Sequence, residues 1–121
     1  MKHNLVKKQL DMQTGHICAL GGKISSHNSL TVHHIEPVRE GGKYILPNII
    51  YLGRLQHDMH NIIECKQYKI AREMKDYFYY FKESRDMLAR EQMKTYAEQI
   101  IDDMGYEPVR KGKIYVLRMK Q

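Results

Sequence analysis

The feature that most restricts the fold is a series of apolar residues at helical spacing through the second half of the chain. Spacings of three and four residues mark one apolar helix face in each of three segments. They predict a helix that begins after Asn48 as its N-cap, a second helix at about 66–82 and a third at about 84–104.

The first half and the tail carry a different pattern. Residues 4–13 predict a short opening helix, and the segments HICAL and SLTVHHI predict two antiparallel strands separated by a turn-rich stretch. The segment EPVREGGKYILP predicts a loop. The tail predicts a hairpin that turns at Lys111 and Gly112. Helices and antiparallel strands in separate parts of the chain indicate the α+β class.

With 121 residues the chain predicts one domain. We place a core at about 15–64, a helical extension at about 66–104 and a basic hairpin at about 106–120. No apolar run approaches the roughly 20 residues that cross a bilayer, and the N-terminus lacks a secretory signal pattern. We therefore expect a cytoplasmic protein with no membrane partner. Cys18 and Cys65 are too far apart and too few for a disulfide framework or a four-cysteine zinc site.

The net charge of +6 is unevenly distributed. Residues 1–82 and 107–121 are basic, whereas residues 83–106 are acidic. A polyanion should therefore contact the first part and the tail and avoid the acidic helix. Lysines that only maintain solubility are the alternative explanation, and charge alone favours neither.

Four of the seven histidines fall between residues 33 and 60. Adjacent strand residues point to opposite sides, so His33 and His34 suit a division of labour in which one imidazole binds a metal and the other stays free. Phosphodiester hydrolysis needs both functions, because a divalent ion stabilises charge on the phosphate while an imidazole takes a proton from water. On the following helix, His57 and Asn61 are one turn apart and offer further ligands. His60 competes with Asn61, although a surface role is the commoner one for such a residue.

These residues occur in a pattern that resembles the HNH endonuclease motif. The pattern consists of the histidine doublet followed by Ile and Pro, a Gly-Gly loop, a Pro-Asn step, a Leu four residues after that Asn and a His nine residues after it. The resemblance covers about 50 residues, from His16 to roughly Glu64. It implies a ββα-metal core around one divalent ion, here followed by two additional helices and a terminal hairpin. It also suggests a phage or mobile-element setting.

The resemblance also implies roles for single residues. His34 corresponds to the general base that activates water, and His33 to a metal ligand. Asn48 corresponds to the residue that holds the loop carrying His34. His57 is the helix ligand within the catalytic set, and Asn61 stands where some relatives have another metal-binding His.

The expected cofactor is one divalent metal ion. An amide oxygen at Asn61 favours Mg²⁺ or Mn²⁺, while Zn²⁺ or Ni²⁺ remains possible. Many relatives add a structural zinc on two CxxC pairs, but here those positions read Cys18-Ala-Leu-Gly21 and Gly53-Arg-Leu-Gln56. We therefore expect no structural zinc, and a core held by packing against the two C-terminal helices.

The resemblance implies cutting or nicking of DNA, most simply double-stranded DNA. Five basic residues are candidates for contacts to the nucleic acid: Arg39, Lys43, Arg54, Lys113 and Arg118. Two other functions fit the same residues. One is a nucleic-acid-binding module that keeps the fold without cutting, and the other is a helical interaction protein whose histidines bind zinc for structure alone.

Overall fold

A computed structural model describes residues 2–121 and has four helices and two small antiparallel sheets, which confirms the α+β class. The elements in chain order are α1 (Lys2–Thr14), β1 (Leu30–His34), β2 (Ile49–Gly53), α2 (Arg54–Lys66), α3 (Tyr68–Ser84), α4 (Met87–Asp103), β3 (Tyr106–Lys111) and β4 (Ile114–Met119). None of the helices in this part of the chain has both the length and the apolar content needed to cross a membrane.

The first sheet consists of β1 and β2, which are antiparallel and place His33 opposite Ile50 and His34 opposite Ile49. The predicted helix beginning after Asn48 is therefore wrong over its first turn, and Asn48 is not its N-cap. Helix α2 starts only at Arg54. The loop between the two strands contains two short 3-10 turns.

Strand β2 is buried along its whole length, which explains why its spacing resembled that of a helix. Ile49 and Tyr51 pack against Leu10 of α1 on one face, while Ile50 and Leu52 face the main core on the other. A strand covered on both faces is apolar at every position and shows no alternation. Apolar residues three apart then occur by chance.

The predicted strand over 16–20 is also wrong, because this segment forms a tight turn beside β2. The Ala19 N–H donates to the carbonyl of Tyr51 (2.9 Å), and the Gly21 N–H donates to the carbonyl of Cys18 (3.1 Å). Burial raises the pKa of the Cys18 thiol, although backbone N–H groups, including that of Gly53, donate to its sulfur. The β-forming composition of this segment therefore reflects burial in a turn.

Helices α3 and α4 cover the apolar side of α2, and the sequence predicted both helices and the terminal hairpin. The three helices all contribute buried residues to the main core. These residues are Met59, Ile63, Met74, Tyr77, Phe78, Phe81, Ala97, Ile100 and Ile101. In the hairpin Lys111 pairs with Ile114, so the turn falls at Gly112 and Lys113, one residue later than predicted. Gly112 has a positive φ of 63°, which favours glycine.

Candidate active site

A small pocket opens where the end of β1, the following loop and α2 meet. Its volume is about 170 Å³. We call it the histidine pocket, and its lining residues are Val32, His33, His34, Pro37, Val38, Arg39, His57, Asn61 and Glu64. Five residues singled out from the sequence therefore share one pocket, although up to 28 positions separate them in the chain.

His33 and His57 face each other across the pocket, one from β1 and one from α2. Nδ1 of His33 lies 3.3 Å from Nε2 of His57. His33 is only 5% exposed, and burial, together with neighbouring imidazoles, lowers its pKa to about 2. Burial also lowers the pKa of His57. Both rings are therefore neutral near pH 7, as metal-binding imidazoles must be.

A threonine sets the tautomer of His57. The Thr31 hydroxyl donates its single proton to the carbonyl of Leu52 (2.8 Å), so toward Nδ1 of His57, 2.9 Å away, its oxygen accepts. The proton of His57 then resides on Nδ1, which leaves the lone pair of Nε2 directed at His33. A partner that fixes the tautomer in this way is typical of histidines that bind metals.

His34 occupies the last position of β1, half-buried, and its ring lies 5.6 Å from that of Tyr44. Although neighbouring strand residues alternate in direction, His33 and His34 both line the pocket, because β1 ends here and the chain turns into the loop.

Asn48 fixes this loop from its far end. Its amide oxygen accepts from the N–H of Glu36 (2.7 Å), and its amide nitrogen donates to the carbonyls of Glu36 (3.1 Å) and Lys43 (2.9 Å). The loop folds so tightly that a Cβ on Gly42 would lie 1.7 Å from the Glu36 carbonyl oxygen. Asn48 and Gly42 thus hold the backbone two residues beyond His34.

The sequence did not predict the burial of His60, and its assignment as a surface residue is wrong. His60 is 3% exposed and lies between His33, whose ring centroid is 4.4 Å away, and Phe78, at 5.6 Å. Its Nδ1 is 3.9 Å from the carboxylate of Glu64. The helical spacing of Gln56, His60 and Ile63 could have indicated this burial, because the three residues occupy one inward face of α2.

A comparison with known protein families matches the part of the chain that contains most of this pocket. Residues 16–60, under half of the chain, match the family model described as HNH endonuclease. The chain carries an HNH domain. No curated protein and no solved structure gave a significant match. An HNH domain indicates nuclease-type activity and implies a nucleic-acid substrate, and nucleases of this family generally use a divalent metal ion.

The HNH domain offers a metal ion two imidazoles rather than a complete cage. Among residues 2–121, no group of three or more His, Cys, Asp or Glu side chains is arranged to hold a metal ion. Two ring nitrogens 3.3 Å apart can nevertheless contact the same ion, since metal-to-imidazole distances are about 2.0–2.1 Å. The amide of Asn61, exposed at the pocket rim, and the carboxylate of Glu64, which also lines the pocket, are further side-chain ligands available there.

At the start of α2 the HNH domain contains a second buried polar cluster. Asn28 donates to the side-chain oxygen of Gln56 (2.9 Å) and to the carbonyl of Lys23 (3.0 Å), and its own oxygen accepts from the N–H of Leu55 (2.8 Å). A Cβ on Gly53 would lie 2.4 Å from the Gln56 oxygen. We call Asn28, Gln56 and their hydrogen-bond partners the amide junction.

The basic residues predicted to contact nucleic acid are dispersed. Arg39 lines the histidine pocket and forms an ion pair with Glu64. Lys43 and Arg54 are exposed, the first in the loop and the second at the start of α2. In the hairpin, Lys113 is exposed and Arg118 pairs with Glu107 (3.2 Å). Only Arg39 therefore lies at the histidine pocket itself.

Proposed function

We propose that this protein is a metal-dependent endonuclease that hydrolyses phosphodiester bonds in DNA by cutting or nicking. The observation that carries the proposal is the convergence of His33 Nδ1 and His57 Nε2, 3.3 Å apart, in a pocket that His34 also lines. Two neutral imidazoles that face each other and a nearby third imidazole supply the ligands and the base that such hydrolysis requires.

In this proposal His33, His57 and Asn61 hold one divalent ion. The ion would stabilise the negative charge that develops on the phosphate and on the leaving oxygen. The amide oxygen of Asn61 and the phosphate oxygens favour Mg²⁺ or Mn²⁺, whereas the two imidazoles also suit Zn²⁺ or Ni²⁺. The Thr31 hydroxyl keeps the Nε2 lone pair of His57 directed into the pocket.

His34 takes the proton from the attacking water. What supports this role is that His34, at the end of β1, lines the same pocket as the two ligands. Asn48 acts as a positioning residue, because its three hydrogen bonds hold the backbone that follows His34. A loop held in this way orients the imidazole before the substrate arrives.

The DNA backbone would be bound by Arg39, Lys43, Arg54, Lys113 and Arg118. Contacts of basic side chains to phosphates fix the orientation of a protein on a duplex without reading its sequence. Arg39 must exchange its partner Glu64 for a phosphate, so its contact is the one most closely linked to cleavage.

A second candidate is a nucleic-acid-binding module on the same domain that does not cut. The observation that favours it is the absence, among residues 2–121, of a complete group of three His, Cys, Asp or Glu ligands. It predicts binding to DNA without strand breaks in the presence of any divalent ion.

Nicking of a supercoiled plasmid in Mg²⁺, Mn²⁺, Zn²⁺ or Ni²⁺ separates the two. We expect cleavage by the wild type and a loss of about 10²–10⁴-fold in His34→Ala, the usual contribution of a general base. His16→Ala is the matched control, because His16 is exposed and pairs with Asp11 outside the pocket. Equal cleavage by His34→Ala and the wild type would refute the role of His34, and DNA binding without cleavage in all four ions would favour the binding module.

A further inference from the structure

A second cleft lies directly beside the histidine pocket, between the loop after β1 and the start of α3. Its volume is about 250 Å³. It shares Pro37, Arg39 and Glu64 with the histidine pocket, so the Arg39–Glu64 ion pair forms the boundary between the two. A ligand in this cleft would be the immediate neighbour of a phosphate in the histidine pocket.

An aromatic side chain stands open at this cleft. Tyr68, the first residue of α3, is 71% exposed, the largest exposure of any tyrosine among residues 2–121. The guanidinium of Arg72, one turn further along, lies 6.0 Å from the centre of its ring. An exposed ring steadied by arginine is the arrangement on which single-stranded nucleic acids stack their bases.

The charges of the cleft favour an uncharged ligand over a phosphate. Three basic and three acidic side chains line it, and Lys75 pairs with Glu36 as Arg39 does with Glu64. A phosphate here would meet three carboxylates and gain little. A neutral ring that also forms hydrogen bonds meets no such repulsion.

One residue that lines the cleft also carries a buried hydrogen-bonding atom without a partner. His60 lines it at 3% exposure, and Nδ1 of His60 has no hydrogen-bond partner within residues 2–121. Buried polar atoms are normally paired, so an unpaired one at a cleft suggests that a ligand satisfies it. The polar edge of a nucleobase is such a ligand.

We propose that this cleft binds one unpaired nucleobase of the strand being cut, next to the scissile phosphate, with the base stacked on Tyr68. The inference rests on the proposed function for the place of the phosphate. It predicts that DNA carrying an unpaired nucleotide is a better ligand than a perfect duplex.

Binding measurements in EDTA test this without cleavage. One duplex carries a single bulged 2-aminopurine, and a second duplex is fully paired. We expect tighter binding and quenched fluorescence for the bulge, and a loss of that preference by about 5- to 150-fold in Tyr68→Ala, the range for loss of one stacked base. Tyr68→Phe keeps the ring and should keep the preference. Tyr80→Ala, also exposed on α3 but outside the cleft, should bind like the wild type.

The outcomes separate this proposal from the proposed function. Equal affinity of the wild type for both duplexes, or an unchanged preference in Tyr68→Ala, overturns the base site even if plasmid nicking proceeds. A preference that Tyr68→Ala abolishes supports the base site even if no ion gives cleavage.

Discussion

The adjacent histidines His33 and His60 and the amide junction are buried to the same extent, yet their side-chain polar atoms differ in how fully they are hydrogen-bonded. Asn28 is 4% exposed and Gln56 6%, against 5% for His33 and 3% for His60. Within residues 2–121 the buried side-chain N and O atoms without partners are Gln13 Oε1, His33 Nε2 and His60 Nδ1. Two of these three belong to the histidines, and none to the junction. Burial therefore does not distinguish these two histidines from the two amides of the junction, whereas hydrogen-bond satisfaction does.

Substitution of Asn48 should produce the largest loss of stability. This residue both holds the fold together through its hydrogen bonds and positions the loop of the candidate active site. Asn48→Ala leaves the N–H of Glu36 and two carbonyls without partners, and we expect the free energy of unfolding to fall by about 3 kcal/mol. Urea denaturation measures this, and plasmid nicking below the unfolding transition should also decrease. Asn48→Asp keeps the acceptor for the Glu36 N–H but turns a carboxylate oxygen toward the two carbonyls, so it should not restore stability. Unchanged stability in Asn48→Ala would contradict the scaffold role.

The amide junction should affect stability without affecting cleavage. Asn28→Ala removes three hydrogen bonds at the start of α2, some of them within reach of water, and we expect a loss of about 2 kcal/mol. Nicking by the folded fraction should match the wild type. An Asn28→Ala variant that folds normally but fails to nick DNA would contradict this prediction, because it would show that the amide junction takes part in cleavage.

Replacing His60 should increase the free energy of unfolding rather than decrease it. His60→Leu exchanges an imidazole with an unpartnered nitrogen for an apolar side chain among Phe78 and the core, and we expect a gain of about 1.5 kcal/mol. Thermal denaturation at neutral pH compares it with the wild type. Gln56→Leu, at the junction, is the matched control and should lose stability. A destabilised His60→Leu would mean that the nitrogen has a partner inside the fold.

Lys82 should have the smallest effect on stability. It is an intermediate case between the satisfied amides and the unsatisfied histidines, because it is buried with a single hydrogen-bond partner. It is 4% exposed and donates to the carbonyl of Ile49 (2.5 Å), and burial lowers its pKa from 10.5 to about 8. Between these values the unfolded chain binds more protons than the folded chain, so stability rises with pH across that window.

From pH 7.5 to pH 9 we expect Lys82 to contribute a gain of about 1 kcal/mol in the free energy of unfolding. Urea denaturation at both pH values measures it. Lys82→Met removes this titration, and the variant should show a smaller increase than the wild type. Parallel pH dependence in the two proteins would show that the amine keeps an ordinary pKa in the fold.

The fold was predictable where one face of an element is apolar and the other polar. Helices α3 and α4 have such faces, and their positions were predicted within a few residues. Strand β2 lacks one, because α1 and the main core cover it on opposite sides, and a pattern without alternation does not distinguish strand from helix. The turn at Cys18 depends on its contacts with Tyr51 and Gly53, which lie more than 30 residues away.

In the site, residue spacing predicted which side chains to consider but not how they pair. His33, His34 and His57 were singled out from the doublet and the helix, and they lie around one pocket. The ion pair between Arg39 and Glu64 joins residues 25 positions apart and depends on the path of the loop. The burial of His60 depends on Phe78, which reaches it only after α3 folds back.

The uniform burial of β2 has a consequence for how the two strands align. A strand that is apolar at every position gains nothing from one alignment over another shifted by a residue, so hydrophobic contacts alone leave its pairing free to slide. Asn48 holds the chain just before this strand, and Asn28 accepts from the N–H of Leu55 just after it. These two asparagines fix the position of β2 at its two ends. The alignment that they select determines which residue of β2 lies opposite each histidine of β1.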